Sequence, residues 1–466
     1  MKGVPVSACG VSRREMLQSL CGGIGGVGLA GILSALSIEE ASAAGVGRYT
    51  GPQLPRKAKH VICLFMAGGP SQLDMFDPKP ALLKAAGQRP SAVDIRTERS
   101  TGGILPSPFK FRRHGRSGIE VSELVPQLGS VIDDVCLIRS MYTFNPTHLP
   151  GRNLFHSGSV LSTRPSVGSW ISYGLGTENA NLPSFIVLTP QGSSERTATR
   201  PGFLPPEHQG VTFNNAAVEP DQMIADLRNQ TLDEKEQRTD LDLLQRLNRR
   251  FGTAFPEDPY LEGRIKALET AYRMQSEAMD LFDVRKESSA IREEYGTTPF
   301  GNGCLLARRL VETGVRYVHV NYDGGQPWDD HSNVADNLRT RVPDMDRAAA
   351  ALIRDLKRRG MLDETLVVWG GEFGRTPVSE SGTGRDHNPY GFTMFVAGGG
   401  FKGGLAYGAT DEFGFKAVEN RVSIHDLHAT LLNQLGMDHT KLTYRYAGRD
   451  FRLTDVFGTV VKDLLV

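Results

Sequence analysis

Short, continuous apolar runs recur along the chain and predict buried β-strands. The first run, His60–Ala67, reads HVICLFMA and is followed by the turn residues Gly68-Gly69-Pro70-Ser71. Runs without alternating polar positions are typical of strands that are covered on both faces. The pattern therefore predicts an α/β fold with a mainly parallel sheet and helices on both faces. Similar runs lie at residues 135–138, 185–188, 315–320, 365–369 and 393–397.

Helical periodicity separates several of these runs. Residues Cys304–Glu312, Val342–Arg359 and Ile424–Leu435 each place apolar residues on one helical face. Residues 221–295 have the same period but are richer in charged residues and leucine. We expect this segment to be a helical insertion packed on the sheet rather than a separate catalytic domain. One α/β domain is therefore expected over residues 45–466.

The first 44 residues have the features of an export signal. Arg13-Arg14 precede a weakly apolar, glycine-rich run over residues 20–36, and small residues follow at 41–44. Paired arginines in this position indicate the twin-arginine export machinery as a partner. The alternative, an N-terminal anchor helix, is disfavoured by six glycines between residues 22 and 31. We expect a periplasmic or secreted mature protein without a stable membrane span.

Charge and cysteine content exclude several classes of function. The chain has 53 Lys+Arg and 53 Asp+Glu residues, so no net charge attracts a nucleic acid, and we expect no nucleic-acid partner. Cys9 and Cys21 fall within the predicted signal, which leaves cysteines at 63, 136 and 304. An odd number without close spacing disfavours a disulfide framework and a cysteine-based zinc site.

Carboxylates and histidines lie at the ends of several predicted strands. Asp329 and His331 follow the run at 315–320, Glu372 follows the run at 365–369, and Asp386 and His387 precede the run at 393–397. Taken singly, each Asp-His pair is explained by a helix-capping Asp or a hydrogen-bonded His. Taken together, they predict one cleft at the carboxyl ends of the sheet. Their oxygens and imidazoles suit a divalent ion, namely zinc, manganese or calcium.

Five motifs together carry a resemblance to a known family. The chain resembles domain-of-unknown-function family 1501, a sulfatase-like branch of the alkaline phosphatase superfamily, over nearly the whole predicted mature region. The resemblance implies an alkaline-phosphatase/sulfatase-like fold whose metal ligands would include the strand-end residues named above. Glu372 stands where the superfamily usually has Asp. The motifs are GGPSQLDMFDPKP, WDDHSN, GEFGRTP, GRDHN and IHDLHATLLNQLG.

Residues 148–158 resemble the sulfatase motif C-x-P-x-R. His148 stands where that motif has its nucleophile, and a histidine cannot become the formylglycine of sulfatases. His148 is therefore expected to be a ligand or phosphoryl acceptor, and Thr147 an alternative hydroxyl nucleophile. Arg152 retains the role of an anion clamp. The alternative stays open that Thr147 caps a helix and His148 packs.

A second departure from the superfamily lies after the first strand. The superfamily usually has a metal-binding Asp directly after that strand, whereas this chain has Ala67-Gly68-Gly69. Asp74 lies nearby and is a candidate substitute ligand. The other interpretation is a site for one metal ion instead of two.

Two functions are compatible with these residues. The first is an exported metal-dependent hydrolase of sulfate or phosphate esters that acts on a sulfated or phosphorylated small molecule or glycan. The second is a non-catalytic binding or structural protein of the cell envelope that retains a degenerate metal site. A phosphomutase is disfavoured, because phosphorylated sugar intermediates are cytoplasmic. His425 and His428 are expected to pack rather than to bind metal.

Overall fold

The computed structural model describes most of the chain after residue 48. Its strands and helices are numbered here in chain order. The residues described are 49, 51–89, 97, 99–190, 196–224, 231–254, 259–277, 279–380 and 382–466.

The strands are short, and those of the central sheet are mostly apolar. Their bounds are β1 His60–Phe65, β2 Phe111–His114, β3 Ile119–Ser122, β4 Val135–Tyr142, β5 Phe185–Thr189, β6 Val211–Asn214, β7 Tyr317–Asn321, β8 Thr365–Gly370, β9 Gly374–Ser379, β10 Arg385–Asn388, β11 Phe392–Ala397, β12 Leu405–Tyr407, β13 Ala409–Thr410, β14 Ala417–Glu419, β15 Val422–Ser423, β16 Tyr444–Tyr446 and β17 Arg449–Phe451.

The α-helices range from single turns to one of seven turns. Their bounds are α1 Gln72–Met75, α2 Ala81–Lys84, α3 Pro126–Ser130, α4 His148–Ser157, α5 Val167–Leu175, α6 Arg196–Thr199, α7 Pro220–Met223, α8 Glu234–Ala254, α9 Pro259–Glu277, α10 Met279–Phe282, α11 Ser289–Tyr295, α12 Pro299–Glu312, α13 Val334–Arg358 and α14 Ile424–Gln434.

A nine-stranded sheet forms the centre of the molecule. Eight strands follow the order β12-β4-β11-β8-β1-β7-β5-β6, and the ninth strand, β15, pairs with β4. The pairs β1–β7, β1–β8, β5–β7 and β5–β6 are parallel, whereas β11 is antiparallel to both β4 and β8. The mainly parallel sheet expected from the continuous apolar runs is confirmed.

Helices cover both faces of this sheet. In β1, Ile62 and Leu64 belong to one hydrophobic core, and Val61, Cys63 and Phe65 belong to the other. This alternation follows from the two-residue period of a strand. Helices α12 and α13 contribute to the first core, and α5 and α14 to the second. The expected α/β architecture with helices on both faces is thus confirmed.

Helix α13 begins earlier than the sequence indicated. The helical periodicity of the sequence predicted a helix over Val342–Arg359. The helix instead runs through Pro343 from Val334. Its start is fixed by tertiary contacts, because the backbone N–H groups of Asn333 and Val334 donate to Thr383.

The predicted insertion at 221–295 contains α8 to α11 within its described part. The division of the chain into a signal, a domain and an insertion stays a prediction, and residues 1–44 lie outside the described residues.

None of the helices that the structure describes has the length and hydropathy needed to span a membrane. Cys63, Cys136 and Cys304 are buried free thiols.

Candidate metal centre

Several strands of the sheet lead to one cluster of polar side chains at the same edge. Strands β4 and β8 are each antiparallel to β11, which lies between them, so both end at the edge where β1 and β7 end. His148 begins α4 after β4, Asp329 and His331 follow β7, and Glu372 follows β8. His387 lies in β10, shortly before β11 begins at this edge. Open α/β sheets place their ligand sites at this edge.

Three imidazoles surround the carboxylate of Asp329. The Nε2 atoms of His331 and His387 lie 2.9 and 3.0 Å from its Oδ1, and that of His148 lies 3.2 Å from its Oδ2. Ligand atoms of all four residues lie within 4.8 Å of one another. Four ligands of one zinc ion are about 3 to 3.5 Å apart. We call His148, Asp329, His331 and His387 the central group.

The second ring nitrogen of each histidine contacts an oxygen outside the central group. An acceptor at Nδ1 holds the ring proton there and leaves the Nε2 lone pair directed toward the other members. All three Nε2 atoms are thus oriented as ligands. The Nδ1 partners are Glu372 Oε1 for His148 (2.8 Å), the Pro146 carbonyl for His387 (2.6 Å) and Glu380 Oε2 for His331.

Glu372 lies behind His148 rather than in the central group. Its carboxylate is fully buried and accepts the backbone N–H of Gly68 at 3.0 and 3.2 Å. The sequence predicted Glu372 as a ligand. The structure places it instead where it orients the His148 ring and connects the end of β1 to the site.

Asp386 lies beside the central group, with both oxygens occupied by backbone donors. Its Oδ1 accepts the N–H of His387 at 2.7 Å, and its Oδ2 accepts the N–H of Arg99 at 2.9 Å. A ligand atom of Asp386 also lies within 4.8 Å of one on His331 and one on Glu380. The five residues expected to share one cleft, Asp329, His331, Glu372, Asp386 and His387, are therefore neighbours.

Asp74 is held away from the central group by Arg385. The guanidinium of Arg385 donates to the two Asp74 oxygens at 2.9 and 3.2 Å, and Ser71 Oγ donates at 2.5 Å. Both charged side chains are fully buried. The structure therefore does not bring Asp74 among the ligands.

A buried guanidinium stands at the end of β1, beside Asp329. Arg375 Nη2 lies 2.7 Å from Asp329 Oδ1, and the same side chain donates to the carbonyls of Gly68 and Gly69. Gly68 has a φ of +111°, and a Cβ there would lie 2.6 Å from the Asp329 backbone nitrogen. The chain therefore needs glycine at this position, where the end of the first strand meets the loop that carries Asp329.

The mutual contacts shift the protonation of the central group. Burial raises the pKa of Asp329, but the close contacts of its carboxylate with the three histidines and the charge of Arg375 outweigh burial and lower that pKa strongly. The hydrogen bond to Asp329 raises the pKa of His331. Burial lowers the pKa of His148, but its carboxylate contacts outweigh burial and raise it, whereas burial lowers the pKa of His387. Without a metal ion, the charge of Arg375 balances that of this carboxylate.

The central group fits a divalent metal ion. His148 Nε2 is buried and makes no hydrogen bond within the described residues, although Asp329 Oδ2 is close by. An unsatisfied buried polar atom usually indicates an ion or water. Three imidazoles and one carboxylate suit zinc or manganese, whereas calcium prefers six to eight oxygens. The residues present therefore fit zinc or manganese better than calcium.

The family comparison agrees with the motifs read from the sequence. A family model described as "Protein of unknown function (DUF1501)" matches residues 58–465. The chain belongs to this family. The family membership expected from the motifs is thereby confirmed. A search of curated proteins gave no match to the chain.

Solved structures that match this DUF1501 protein include sulfatases and phosphatases at low identity. The PsFucS1 sulfatase from Pseudoalteromonas sp. is 13% identical with a TM-score of 0.32, covering 82% of this chain and 68% of its own. The lipoteichoic acid synthase LtaP from Listeria monocytogenes is 10% identical (TM-score 0.34; 86% and 78%). The alkaline phosphatase from the Antarctic bacterium TAB5 is 11% identical (TM-score 0.30; 74% and 92%).

The predicted nucleophile candidates lie on helix α4 of the DUF1501 protein. Thr147 is the exposed N-cap residue, and its side chain makes no capping hydrogen bond. Arg152 lies one turn along α4 from His148. Burial is the main cause of the low pKa of His156, and the charges of His319 and Arg152 lower that pKa further. The catalytic roles of Thr147, His148 and Arg152 stay predictions.

Helix α14 holds α4 in place. His425 Nε2 contacts the Gly158 carbonyl at 2.8 Å, and His428 Nε2 contacts the Phe155 carbonyl at 2.9 Å. Both histidines therefore pack against the C-terminal end of α4, as the sequence predicted. Their contacts fix the helix whose first residue is His148.

Four residues that shape the site were not predicted from the sequence. Arg375 lies within the motif GEFGRTP, but no pattern distinguished it from a surface arginine. Glu380 and Arg99 lie in loops, and only the fold brings Glu380 to His331 and Arg99 to Glu380. Phe373 was also missed, although its ring lies 5.1 and 4.6 Å from those of His148 and His387.

Proposed function

We propose that this protein is a metal-dependent hydrolase of sulfate or phosphate esters. The observation that carries the proposal is the central group, in which three Nε2 atoms and one carboxylate converge at the carboxyl edge of the sheet. Each ring is oriented by an acceptor at its other nitrogen. Such orientation is typical of histidines that bind a metal. We propose zinc or manganese as the ion.

Both the bound ion and the residues of the chain would contribute to the reaction. A bound divalent ion would polarise an ester oxygen and lower the pKa of a water molecule. The chain holds the ligands and packs the ring of Phe373 against two of them. Helix α4 directs its N terminus to the same place, and the Thr147 side chain leaves its first N–H groups uncapped. These groups attract an anionic ester.

The residues that act on the ester are proposed from their positions on α4. Thr147 offers an exposed hydroxyl directly before His148, so we propose it as a nucleophile, with a water molecule as the alternative. Arg152 is proposed as the clamp for the anion, since it follows one turn later on the same helix.

A binding or structural role in the cell envelope is the second candidate. Arg375 is the observation that favours it, because its fixed guanidinium contacts Asp329 and also the carbonyls of Gly68 and Gly69 after β1, where the superfamily usually has a metal-binding Asp. A positive charge there disfavours a second divalent ion nearby. A single-metal site without a strong nucleophile suits a protein that binds an anionic glycan without cleaving it.

Export is proposed together with either function. It rests on the Arg13-Arg14 pair and the small residues before position 45, which lie outside the described residues. Twin-arginine export carries folded proteins, which suits a chain that takes up its metal in the cytoplasm. The proposed site of action is the periplasm or the cell exterior.

One experiment separates the two candidate functions. The purified mature protein is analysed for metal and assayed with p-nitrophenyl sulfate and p-nitrophenyl phosphate, beside Thr147→Ala and His387→Ala variants. The hydrolase proposal predicts turnover that is lost on chelation and in His387→Ala, and strongly reduced in Thr147→Ala if Thr147 is the nucleophile. A metal-loaded protein that cleaves neither ester would support the binding protein instead.

A further inference from the structure

Glu380 is the more accessible of the two carboxylates that contact a histidine Nδ1 in the site. The side chains of Glu380 and His331 are each 14% exposed, whereas Glu372 behind His148 is fully buried and His387 is held by a backbone carbonyl. Glu380 follows β9, at the turn that leads to β10. The orientation of His331 therefore depends on a loop side chain rather than on the packed core.

Arg99 holds Glu380 from the opposite side. Its Nη1 donates to Glu380 Oε1 at 2.9 Å, while Glu380 Oε2 contacts His331 Nδ1. The backbone N–H of Arg99 donates to Asp386 at 2.9 Å, and Asp386 in turn accepts the N–H of His387. One residue thus reaches the supports of two histidines of the central group.

Residues 99–105, which we call the strap, are themselves fixed along the edge of the β9–β10 hairpin. Gly102 N donates to Ser379 O at 2.5 Å, Ser379 N donates to Gly103 O at 2.8 Å, and Leu105 N donates to Pro377 O at 2.9 Å. Ile104 and Val378 form an antiparallel bridge in the same register. The strap therefore adds a third strand-like segment to the hairpin that carries His387.

We propose that Glu380 is a positioning residue for metal binding and that Arg99 on the strap holds it against His331. A carboxylate that accepts the proton of a ligand imidazole fixes the ring orientation and increases the basicity of its other nitrogen. Arg99 neutralises the charge of Glu380 on the side away from His331, which keeps the carboxylate in one orientation. The inference rests on the proposed metal site but not on catalysis.

The test measures metal binding rather than turnover. Co²⁺ is titrated into the metal-free full-length mature protein, and its dissociation constant and visible absorption spectrum are recorded for wild type, Glu380→Ala, Glu380→Gln and Arg99→Ala. Loss of a partner behind a metal-binding histidine weakens binding by about 10- to 100-fold. We expect that loss and an altered cobalt spectrum for Glu380→Ala, and a smaller loss for Arg99→Ala. Glu380→Gln should stay within a few fold of wild type, because its amide oxygen still accepts the Nδ1 proton.

A distant ion pair supplies the matched control. Glu364 pairs with Lys59 at 2.7 Å on the surface, and Glu364→Ala removes a glutamate that, like Glu380, pairs with a basic side chain but lies away from the site. It should leave both the dissociation constant and the spectrum unchanged. Melting of each metal-free variant verifies that it is folded.

Three results would overturn the inference, and they separate it from the proposed function. If wild type binds Co²⁺ and Glu380→Ala binds it equally with the same spectrum, only the positioning role fails. If Glu380→Ala instead lowers the number of bound ions from two to one, Glu380 is itself a ligand in the group with His331 and Asp386. If wild type binds no metal at all, the positioning role and the proposed metal-dependent function fail together.

Discussion

His387 and His425 are both buried histidines, but they differ in what their ring nitrogens contact. His387 Nε2 faces Asp329 Oδ1 at 3.0 Å, whereas His425 Nε2 contacts the carbonyl of Gly158, directly after α4. The ring at 387 therefore belongs to the central group, and the ring at 425 serves to pack α4. The two histidines thus have different roles, and a measurement of metal binding to variants of each can distinguish them.

We predict that His387→Ala weakens Zn²⁺ binding by at least about 100-fold, since a ligand should contribute no less than the partners behind it. His425→Ala should bind Zn²⁺ as wild type does, and should lower the free energy of unfolding by about 1 kcal/mol through its lost hydrogen bond. Isothermal titration of the two metal-free proteins measures both affinities. Equal loss in the two variants would mean that His387 acts through stability alone.

At the scale of residues, the sequence indicated the neighbourhood of the site better than the role of each member. Asp329, His331 and His387 were recognised because each lies a few residues from a clear apolar strand. Glu372 and Asp386 were recognised in the same way, yet their oxygens accept backbone or ring N–H groups. The direction of a side chain at the end of a strand depends on tertiary contacts, which the local hydrophobic pattern of the sequence does not show.

The β9–β10 hairpin is the element that joins most parts of the site. Arg375 on β9 is fully buried and donates to carbonyls from the loops after β1 and β7, to the Arg385 carbonyl of β10 at 3.0 Å, and to the Asp329 carboxylate. A single guanidinium thus connects three strand ends. Lysine lacks the planar fork needed to reach all of these acceptors.

Replacement of Arg375 by Met should destabilise the metal-free protein by about 3 kcal/mol, because several buried acceptors lose their donor. Arg375→Lys should recover only part of this loss. Lys357→Ala, which removes an exposed pair with Asp134, should cost at most about 1 kcal/mol. Urea unfolding in the presence of a chelator gives the three values. A change below about 1 kcal/mol in Arg375→Met would show that the guanidinium does not hold the loops together.

The elements of the fold were largely predictable because their apolar patterns are strong. Strands β1, β5, β8 and β11 were recognised from continuous hydrophobic runs, and α12 and α14 from helical periodicity. The antiparallel direction of β11 was not predictable, since a fully buried strand has the same pattern in either orientation. The hairpin strands β9 and β10 were missed because their sequences, GRTPVS and RDHN, are polar.

At the scale of the whole molecule, buried neutral histidines couple stability to pH. Burial lowers the pKa of His319 to about 4 and that of His428 to about 3. The unfolded chain protonates each near pH 6.5. As the pH falls below 6.5, the unfolded state therefore binds more protons than the folded state, and stability is lost until the pH reaches the folded pKa.

The metal-free protein should accordingly lose about 1.4 kcal/mol of unfolding free energy per pH unit and per histidine between pH 6 and pH 4.5. In His319→Gln that slope should fall by the contribution of one histidine, since glutamine does not titrate. Urea unfolding at half-unit pH intervals provides the slopes. If both proteins show the same slope, His319 is protonated in the folded state and the burial argument fails.

The central claim is that one divalent ion is bound by His148, Asp329, His331 and His387. Anomalous diffraction from crystals of the purified mature protein, collected on both sides of the zinc and manganese absorption edges, tests it most directly. We predict one peak at this edge of the sheet, bonded to the three Nε2 atoms and the Asp329 carboxylate at about 2.0 to 2.2 Å. No peak there, or a peak bonded instead by Asp74 or by Glu380 and Asp386, would contradict the account.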